Sequence, residues 1–263
     1  MQALIDADIL AYQAASTSER PVKWDEDLWT LHAFESEAQE HFHDMVLNIT
    51  AKAGCDDAVL VWTDSENWRK TVLPTYKSNR AGVRKPLVLS PLRKWAQEKY
   101  ESRIIPTLEG DDVLGLMATD PDIESKVVVC SLDKDLKTIP GKHYNFGKDE
   151  HFTITTHEAN MYHMYQTLIG DATDGYKGCP GVGPVAAQKI LDSVNEQATP
   201  WASESTFVAL LWEAVVKAYN KAGLGEEEAL CQAQVARILR HGEYGFKSQK
   251  VNLWTPPIIL QAA

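Results

Sequence analysis

No stretch of the chain approaches the roughly 18 to 20 consecutive apolar residues that a membrane span requires, so neither a spanning helix nor a membrane partner is expected. Cysteine is scarce: Cys55, Cys130, Cys179 and Cys231 lie far apart and form no C-x-x-C pair. That spacing argues against zinc and against a disulfide framework, and suits free thiols in a reducing cytosol. The start, Met1-Gln-Ala-Leu-Ile-Asp6, lacks a basic stretch and meets a charge before any long apolar run, so it does not read as a signal peptide. Internal repeats and low-complexity tracts are absent too. With 263 residues and 44% hydrophobic content, the sequence suits one large domain, or one domain with a helical extension.

Positive charge is also in deficit, at a formal net of −11, which on average disfavours a nucleic-acid partner. The distribution says otherwise. Between Arg69 and Arg103 stand ten basic residues (Arg69, Lys70, Lys77, Arg80, Arg84, Lys85, Arg93, Lys94, Lys99, Arg103) against two acids, Glu98 and Glu101. An acidic chain with one strongly basic block suits a polyanion-binding enzyme whose carboxylates are offset by metal ions; a solvated, charge-rich face is the plainer alternative.

Short β-branched runs at 3–5, 58–62, 104–105 and 127–130 read as buried parallel strands. Helical patterns fall at about 34–53, 90–101 (Ser90 as N-cap, Pro91 at the first helical position) and 111–118. The alternation predicts an α/β fold with a central parallel sheet, and ligands in such sheets gather at the carboxyl ends of the strands. After Phe152 the pattern turns helical: Thr155-Thr-His-Glu158 is a capping-box signature opening a helix to about Leu168, and further helices fit 184–194, 205–222 and 226–240, with 195–204 a loop. The softer boundary lies at about 155–165.

Acid is concentrated in short motifs: Asp6-Ala-Asp8, Asp56-Asp57, Asp64, Glu109-Gly-Asp-Asp112, Asp133-Lys-Asp135 and Asp171-Ala-Thr-Asp174. Converging carboxylates repel and need cations or raised pKa values to coexist. Oxygen ligands without a His/Cys pattern select Mg²⁺ or Mn²⁺, and two such ions can activate water and stabilise a leaving oxygen in phosphodiester hydrolysis. Taken singly, Asp171 and Asp174 also fit a turn between Gly170 and Gly175, Asp8 fits a capping or supporting role, and Asp56-Asp57 a surface turn. Lys177-Gly-Cys-Pro-Gly-Val-Gly-Pro184 is a G-x-x-G-x-G loop opening a helix, where backbone N–H groups can approach a phosphate; a plain helix-turn-helix corner explains it equally well.

These residues resemble the 5′ nuclease superfamily of flap endonucleases and polymerase 5′-nuclease domains, and within it the 5′→3′ double-stranded DNA exonucleases of short-tailed lytic phages. The likeness rests on Leu4-Ile-Asp-Ala-Asp8, Thr63-Asp-Ser-Glu-Asn-Trp-Arg-Lys70, Tyr76-Lys-Ser-Asn-Arg80, Leu108-Glu-Gly-Asp-Asp112, Leu132-Asp-Lys-Asp-Leu-Lys-Thr-Ile-Pro140 and Gly170-Asp-Ala-Thr-Asp-Gly-Tyr176, in that order. Ala236-Arg-Ile-Leu-Arg240 and Leu253-Trp-Thr-Pro256 extend it. The resemblance implies a PIN-like (Rossmann-like) sheet with helices on both faces over 1–160, carrying a helical arch at about 66–95. It implies a helical DNA-binding region over 161–263, with a helix-three-turn-helix at about 166–194.

By the same resemblance, Asp6, Asp64, Glu109, Asp111, Asp133 and Asp135 would hold a first metal directly or through water, and Asp112, Asp171 and Asp174 would serve a second. Lys77 and Arg80 would contact the scissile phosphate. Tyr12 would stack on the terminal base, and Arg69, Lys70, Tyr76, Arg84, Lys85, Lys177, Gly178, Gly181, Gly183 and Lys189 would meet DNA. A K⁺ ion could sit at the glycine loop. The implied activity is removal of nucleotides from the 5′ end of duplex DNA by two Mg²⁺ or Mn²⁺ ions, in the host cytoplasm during phage DNA degradation, replication or primer removal. Flap cleavage and an RNase H-like action on RNA–DNA hybrid could accompany it. Two positions depart from the family: Val185 stands where many members have Lys, and Gln166 where some flap endonucleases have Lys.

Two other functions compete. Asp6-x-Asp8 after a strand also suits an aspartyl-phosphate phosphatase of the haloacid dehalogenase type, which needs neither the basic block nor the glycine loop. A duplex-binding protein without catalysis would leave the carboxylates unexplained.

Overall fold

The computed structural model describes residues 1–197 and 203–258. Its elements begin with β1 (Gln2–Asp6), α1 (Ala7–Thr17), β2 (Arg20–Lys23), β3 (Trp29–His32), α2 (Glu35–Lys52), β4 (Asp57–Val61), α3 (Arg69–Val72), α4 (Leu89–Lys99), β5 (Ser102–Arg103) and α5 (Gly110–Ala118). They continue with β6 (Val127–Cys130), β7 (Gly141–Asn145), β8 (Glu150–Ile154), α6 (Thr156–Ile169), α7 (Pro184–Gln197), α8 (Glu204–Lys221), α9 (Glu226–Ala236), β9 (Tyr244–Gly245) and β10 (Lys250–Val251). Two compact units result. Met1–Glu66, Gly82–Leu136 and Gly141–Thr153 form the first; Asn67–Ala81, Lys137–Pro140 and the chain from Ile154 form the second. No described helix is long and apolar enough to cross a membrane.

The first unit is built on a six-stranded sheet of order β5-β4-β1-β6-β7-β8, parallel from β5 through β7. Strands of a parallel sheet are covered on both faces and so read as unbroken apolar runs, as Val127 to Cys130 do. Ile5, Leu60, Trp62, Val128 and Cys130 pack with Leu10 and Ala14 of α1, Phe42 and Val46 of α2, and Leu92 of α4. Leu4, Val59 and Val129, of the opposite parity, are just as buried, and α5 packs on β1, β4 and β6. The register matters most. β1 pairs with β4 from Gln2↔Asp57 to Asp6↔Val61 and with β6 from Gln2↔Val127 to Ile5↔Cys130, so the three central strands finish within one residue of each other.

Several sequence expectations shift. The strand expected at 104–105 lies at Ser102–Arg103, opposite Leu60 and Val61, because the neighbouring strand ends there and Ile104 passes into solvent. α4 begins at Leu89, so Ser90 is not its N-cap; Ser90 and Pro91 both sit in the first turn, where a missing N–H leaves no intrahelical bond unmade. The hairpin of β2 and β3 was not expected; its residues are exposed or half-exposed and lack the alternation of a half-buried strand.

In the second unit α6, α7, α8 and α9 surround Met164, Leu168, Leu191, Leu211, Val215, Tyr219 and Ala233, and the Tyr219 hydroxyl donates to the Thr167 carbonyl at 2.6 Å. The expected capping box is made: Thr155 Oγ1 accepts the Glu158 N–H at 3.1 Å and Glu158 Oε2 accepts the Thr155 N–H at 2.8 Å. The helix expected to reach 240 stops at Ala236. Arg69 explains the stop, since its guanidinium takes the carbonyls of Val235 (Nε, 2.8 Å) and Arg237 (Nη2, 2.6 Å) that a continuing helix would use. Of the loop expected at 195–204, residues through Gln197 extend α7 and Glu204 starts α8; residues 198–202 lie outside the described residues.

Buried His163 bonds the Ala233 carbonyl through Nε2 at 2.8 Å. Burial, and then the charge of Arg237, depress its pKa well below 6.5. The ring is therefore neutral when folded, and its contribution is complete above the unfolded value of about 6.5 and lost as pH falls below it. We expect His163→Gln to lose less stability than the parent on going to pH 5.5, by roughly 1 kcal/mol, in urea titrations at pH 7.5 and 5.5. Parallel pH curves would show that His163 takes up its proton in the folded state.

Candidate active site

The common finishing level of β1, β4 and β6 places Asp6 at the last residue of β1, Asp64 three residues beyond β4 and Asp133 three beyond β6. Asp6 is 5% exposed, and burial, with the nearby charges of Asp8 and Asp133, raises its pKa to about 7 against the opposing hydrogen bond from Ser131. Ser131 joins two of these acids: its hydroxyl donates to Asp6 Oδ2 at 2.9 Å and accepts the Asp133 N–H at 3.0 Å. Sequence reasoning passed over it, although a serine directly after a buried strand was the available signal. Asp64 is different. Burial works against its ionisation, but backbone N–H groups of Thr107, Ser65 and Glu66 outweigh this and hold the carboxyl below its usual range; the Thr107 N–H lies 2.8 Å from Oδ2.

Glu109 and Asp112 are both buried at the start of α5, where negative charge suits the helix N-terminus; Asp112 Oδ2 accepts the Glu109 N–H at 3.3 Å. Asp111 is half-buried in the same turn. Asp133 Oδ1 accepts the Asp135 N–H at 2.8 Å. Asp8 has a supporting role: its Oδ2 accepts the Thr63 N–H at 2.7 Å, and Arg93 reaches both Asp8 Oδ1, at 3.6 Å, and the Thr63 carbonyl. Arg93 is a site residue that sequence reasoning counted only as part of the basic block.

In the second unit a loop carries Asp171 and Asp174. Asp171 Oδ1 accepts the Thr173 N–H at 2.7 Å, the turn that its spacing permits. Asp174 gathers Arg80 Nη2 at 2.6 Å, the Tyr76 hydroxyl at 2.9 Å and Lys77 Nζ at 3.5 Å. Lys77 has a left-handed backbone, φ 53°, and donates its N–H to the Asp174 carbonyl at 2.8 Å. The two proposed phosphate contacts thus stand on the carboxylate of a proposed metal ligand.

The expected DNA contacts divide. Tyr12, Lys70, Arg80, Lys85, Lys177 and Lys189 are exposed. Arg84 is exposed but forked onto Glu19 at 2.7 Å through both terminal nitrogens, and its hydrogen bond pulls the Glu19 carboxyl down to about 2. Arg69 and Tyr76 are 2% exposed, so neither presents a side chain to DNA: one closes α9 and the other holds Asp174. Gly178 is corrected as well. Its N–H donates to Gln232 Oε1 at 3.0 Å, and a Cβ there would stand 2.3 Å from the Gly170 nitrogen. At Gly181 and Gly183 a Cβ would meet nothing within 4 Å, which leaves their backbone open to approach. Segment 66–95, expected as a helical arch, holds the four-residue α3, a three-residue 3₁₀ turn at Ser78–Arg80 and the start of α4.

The sequence profile described as "5′-3′ exonuclease, N-terminal resolvase-like domain" matches residues 1–166, the span that carries the strand-end acids. The chain belongs to this 5′-3′ exonuclease family. Its relatives in the family include the exodeoxyribonuclease of Enterobacteria phage T3, 34% identical over 96% of this chain and 92% of that protein. The exonuclease of Escherichia phage T7 is likewise 34% identical, over 96% of this chain and 93% of the other. In fold, this 5′-3′ exonuclease family member matches the bacteriophage T5 D15 flap endonuclease, solved as a pseudo-enzyme-product complex with DNA and metal ions. The TM-score is 0.57 at 14% identity, over 89% of this chain and 92% of that one. The chain is thus a nuclease of the 5′ nuclease superfamily, with that superfamily's mixed α/β sheet, flanking helices and C-terminal helical region.

In this exonuclease family member the glycines should respond unequally. Gly178→Ala puts a Cβ into the Gly170 backbone at φ +65° and is expected to cost about 3 kcal/mol, while Gly183→Ala should cost less than about 1 kcal/mol. Urea midpoints of the two purified variants decide it; equal midpoints would mean that the 170/178 approach relaxes freely.

Proposed function

We propose that the chain is a Mg²⁺- or Mn²⁺-dependent 5′→3′ exonuclease that releases nucleotides from the 5′ end of double-stranded DNA by a two-metal mechanism. It would act during DNA degradation, replication or primer removal in phage infection. The observation that carries the reading is the set of strand-end acids, with Asp6 buried and raised to about 7 beside Asp8 and Asp133. A cation would relieve that repulsion, and an oxygen-only donor set suits a hard one. Among the described residues no three acidic, His or Cys side chains are close enough to hold an ion as they stand, so the fit is one of donor chemistry. The T5 D15 flap endonuclease, solved with DNA and metal ions, and the phage T3 and T7 relatives support the same reading.

Within it, Asp6, Asp64, Glu109, Asp111, Asp133 and Asp135 would hold the first ion, and Asp112, Asp171 and Asp174 would serve the second. Bound ions would supply an activated water and stabilise the leaving oxygen. Lys77 and Arg80 would leave Asp174 for the substrate phosphate, exchanging one anion for another. Tyr12 would stack on the terminal base. Open Gly181 and Gly183, with Lys70, Lys85, Lys177 and Lys189, would meet duplex phosphates, and K⁺ could join the glycine loop. We assign the sheet to the PIN-like class and the segment at about 166–194 to the helix-three-turn-helix on the same basis.

Digestion of a 5′-labelled duplex with Mg²⁺ and with EDTA tests the whole reading: mononucleotide or short products only with Mg²⁺ are expected, and metal-independent or absent cleavage overturns it. Flapped and RNA-primed strands in the same assay set the substrate range. Asp135→Asn should abolish hydrolysis while leaving duplex affinity within a few-fold; full activity would remove Asp135 from the mechanism. Lys77→Ala and Arg80→Ala should lower kcat by about 10²-fold or more, and well beyond their effect on Kd, because they face charge that develops at the phosphate. An unchanged kcat with weaker binding would reduce them to positioning contacts.

A further inference from the structure

A groove of ≈ 990 Å³ opens beside the glycine loop, with Gly181 and Val182 at one end and α7 and α8 as its walls. Lys189 of α7 and Lys217 and Lys221 of α8 line it, against the single acid Glu213. In a chain of net charge −11 that is a local excess of positive charge. Arg80, Arg84 and Arg93 of the basic block are each held by a carboxylate. Among the described residues Lys217 and Lys221 make no ion pair, and both are exposed. Four residues apart, they stand on one face of α8 about 6 Å from each other. The apolar floor, from Ile190 and Leu210, suits the aliphatic stems of lysines whose ammonium groups reach out to the rim.

We propose that Lys217 and Lys221 form a second phosphate-binding station for duplex DNA, continuing beyond the glycine loop across the mouth of the α7/α8 groove. This rests on the duplex reading above and adds to it the backbone grip of α8. The occupant is a phosphodiester backbone because three lysines, point charges on apolar stems, outweigh the single acid of the lining, whose uncharged hydrogen-bonding side chains are limited to Ser193 and Gln197. Contact there is independent of sequence and needs a duplex long enough to pass the glycine loop.

The test compares the parent with Lys217→Ala/Lys221→Ala and with Lys217→Arg/Lys221→Arg, measuring Kd for a 30-base-pair duplex, a 10-base-pair duplex and a single strand over a series of salt concentrations. In the alanine variant, affinity for the long duplex should fall about ten-fold and its log–log salt slope should flatten by about 1.8, two phosphates at about 0.9 each. The short duplex, the single strand and kcat on short substrates should be unaltered, and the arginine variant should retain parental affinity. An unchanged long-duplex Kd and salt slope overturns the station, and so does equal loss on all three ligands. A parent that binds the long duplex but does not cleave it with Mg²⁺ defeats the exonuclease reading alone, whereas a parent that binds no duplex defeats both.

Discussion

The first unit depends on the register of its central strand. Because Asp6 is the last residue of β1 and lies opposite Val61, with β6 ending one step earlier, the sheet delivers acids from adjacent strands to one edge. Shifting that register by one residue would turn Asp6 to the other face of the sheet and put a core side chain in its place. Apolar packing on both faces, from Phe42 and Leu92 on one side and α5 on the other, keeps the register fixed. The acidic edge is thus positioned by the hydrophobic core, and Asp6 remains buried at a cost in its own ionisation.

In the second unit charge is arranged in the opposite manner. Asp174 is satisfied by Arg80, Lys77 and the Tyr76 hydroxyl, so that its repulsion is answered within the protein. Such a pair is a store of two recognition elements of opposite sign. A cation competing for the carboxylate and a phosphate competing for the bases would each be favoured by arrival of the other. The two groups of acids therefore differ in what satisfies them: hydrogen bonds from Ser131 and from backbone N–H groups at the strand ends, and ion pairing in the loop.

Much of this was legible in the residues. Asp6 follows its apolar run directly and Asp64 and Asp133 lie three residues beyond theirs, and the Thr155/Glu158 capping box is a local signal that tertiary packing left intact. What sequence could not show depended on partners far along the chain. Arg69 reads as one more member of a basic block until its guanidinium is seen on Val235 and Arg237, 166 and 168 residues away. Ser90 has every local mark of a cap, yet the helix starts a residue earlier because Leu89 joins the packed core. The β2–β3 hairpin carries exposed Trp24 and Trp29 in place of a buried face, so no periodicity marks it.

The close approach of Gly170 and Gly178 bears on length as well as composition. Their backbones close the neck of the loop from Asp171 to Lys177, and the neighbouring Asp171–Tyr176 bridge narrows it again. An inserted residue could not widen that neck and would have to bulge at the tip, displacing Asp174 from its three partners. Insertions and deletions in this loop are thereby restricted by geometry at its base, whereas the exposed side chains of Ala172 and Thr173 carry no such restriction.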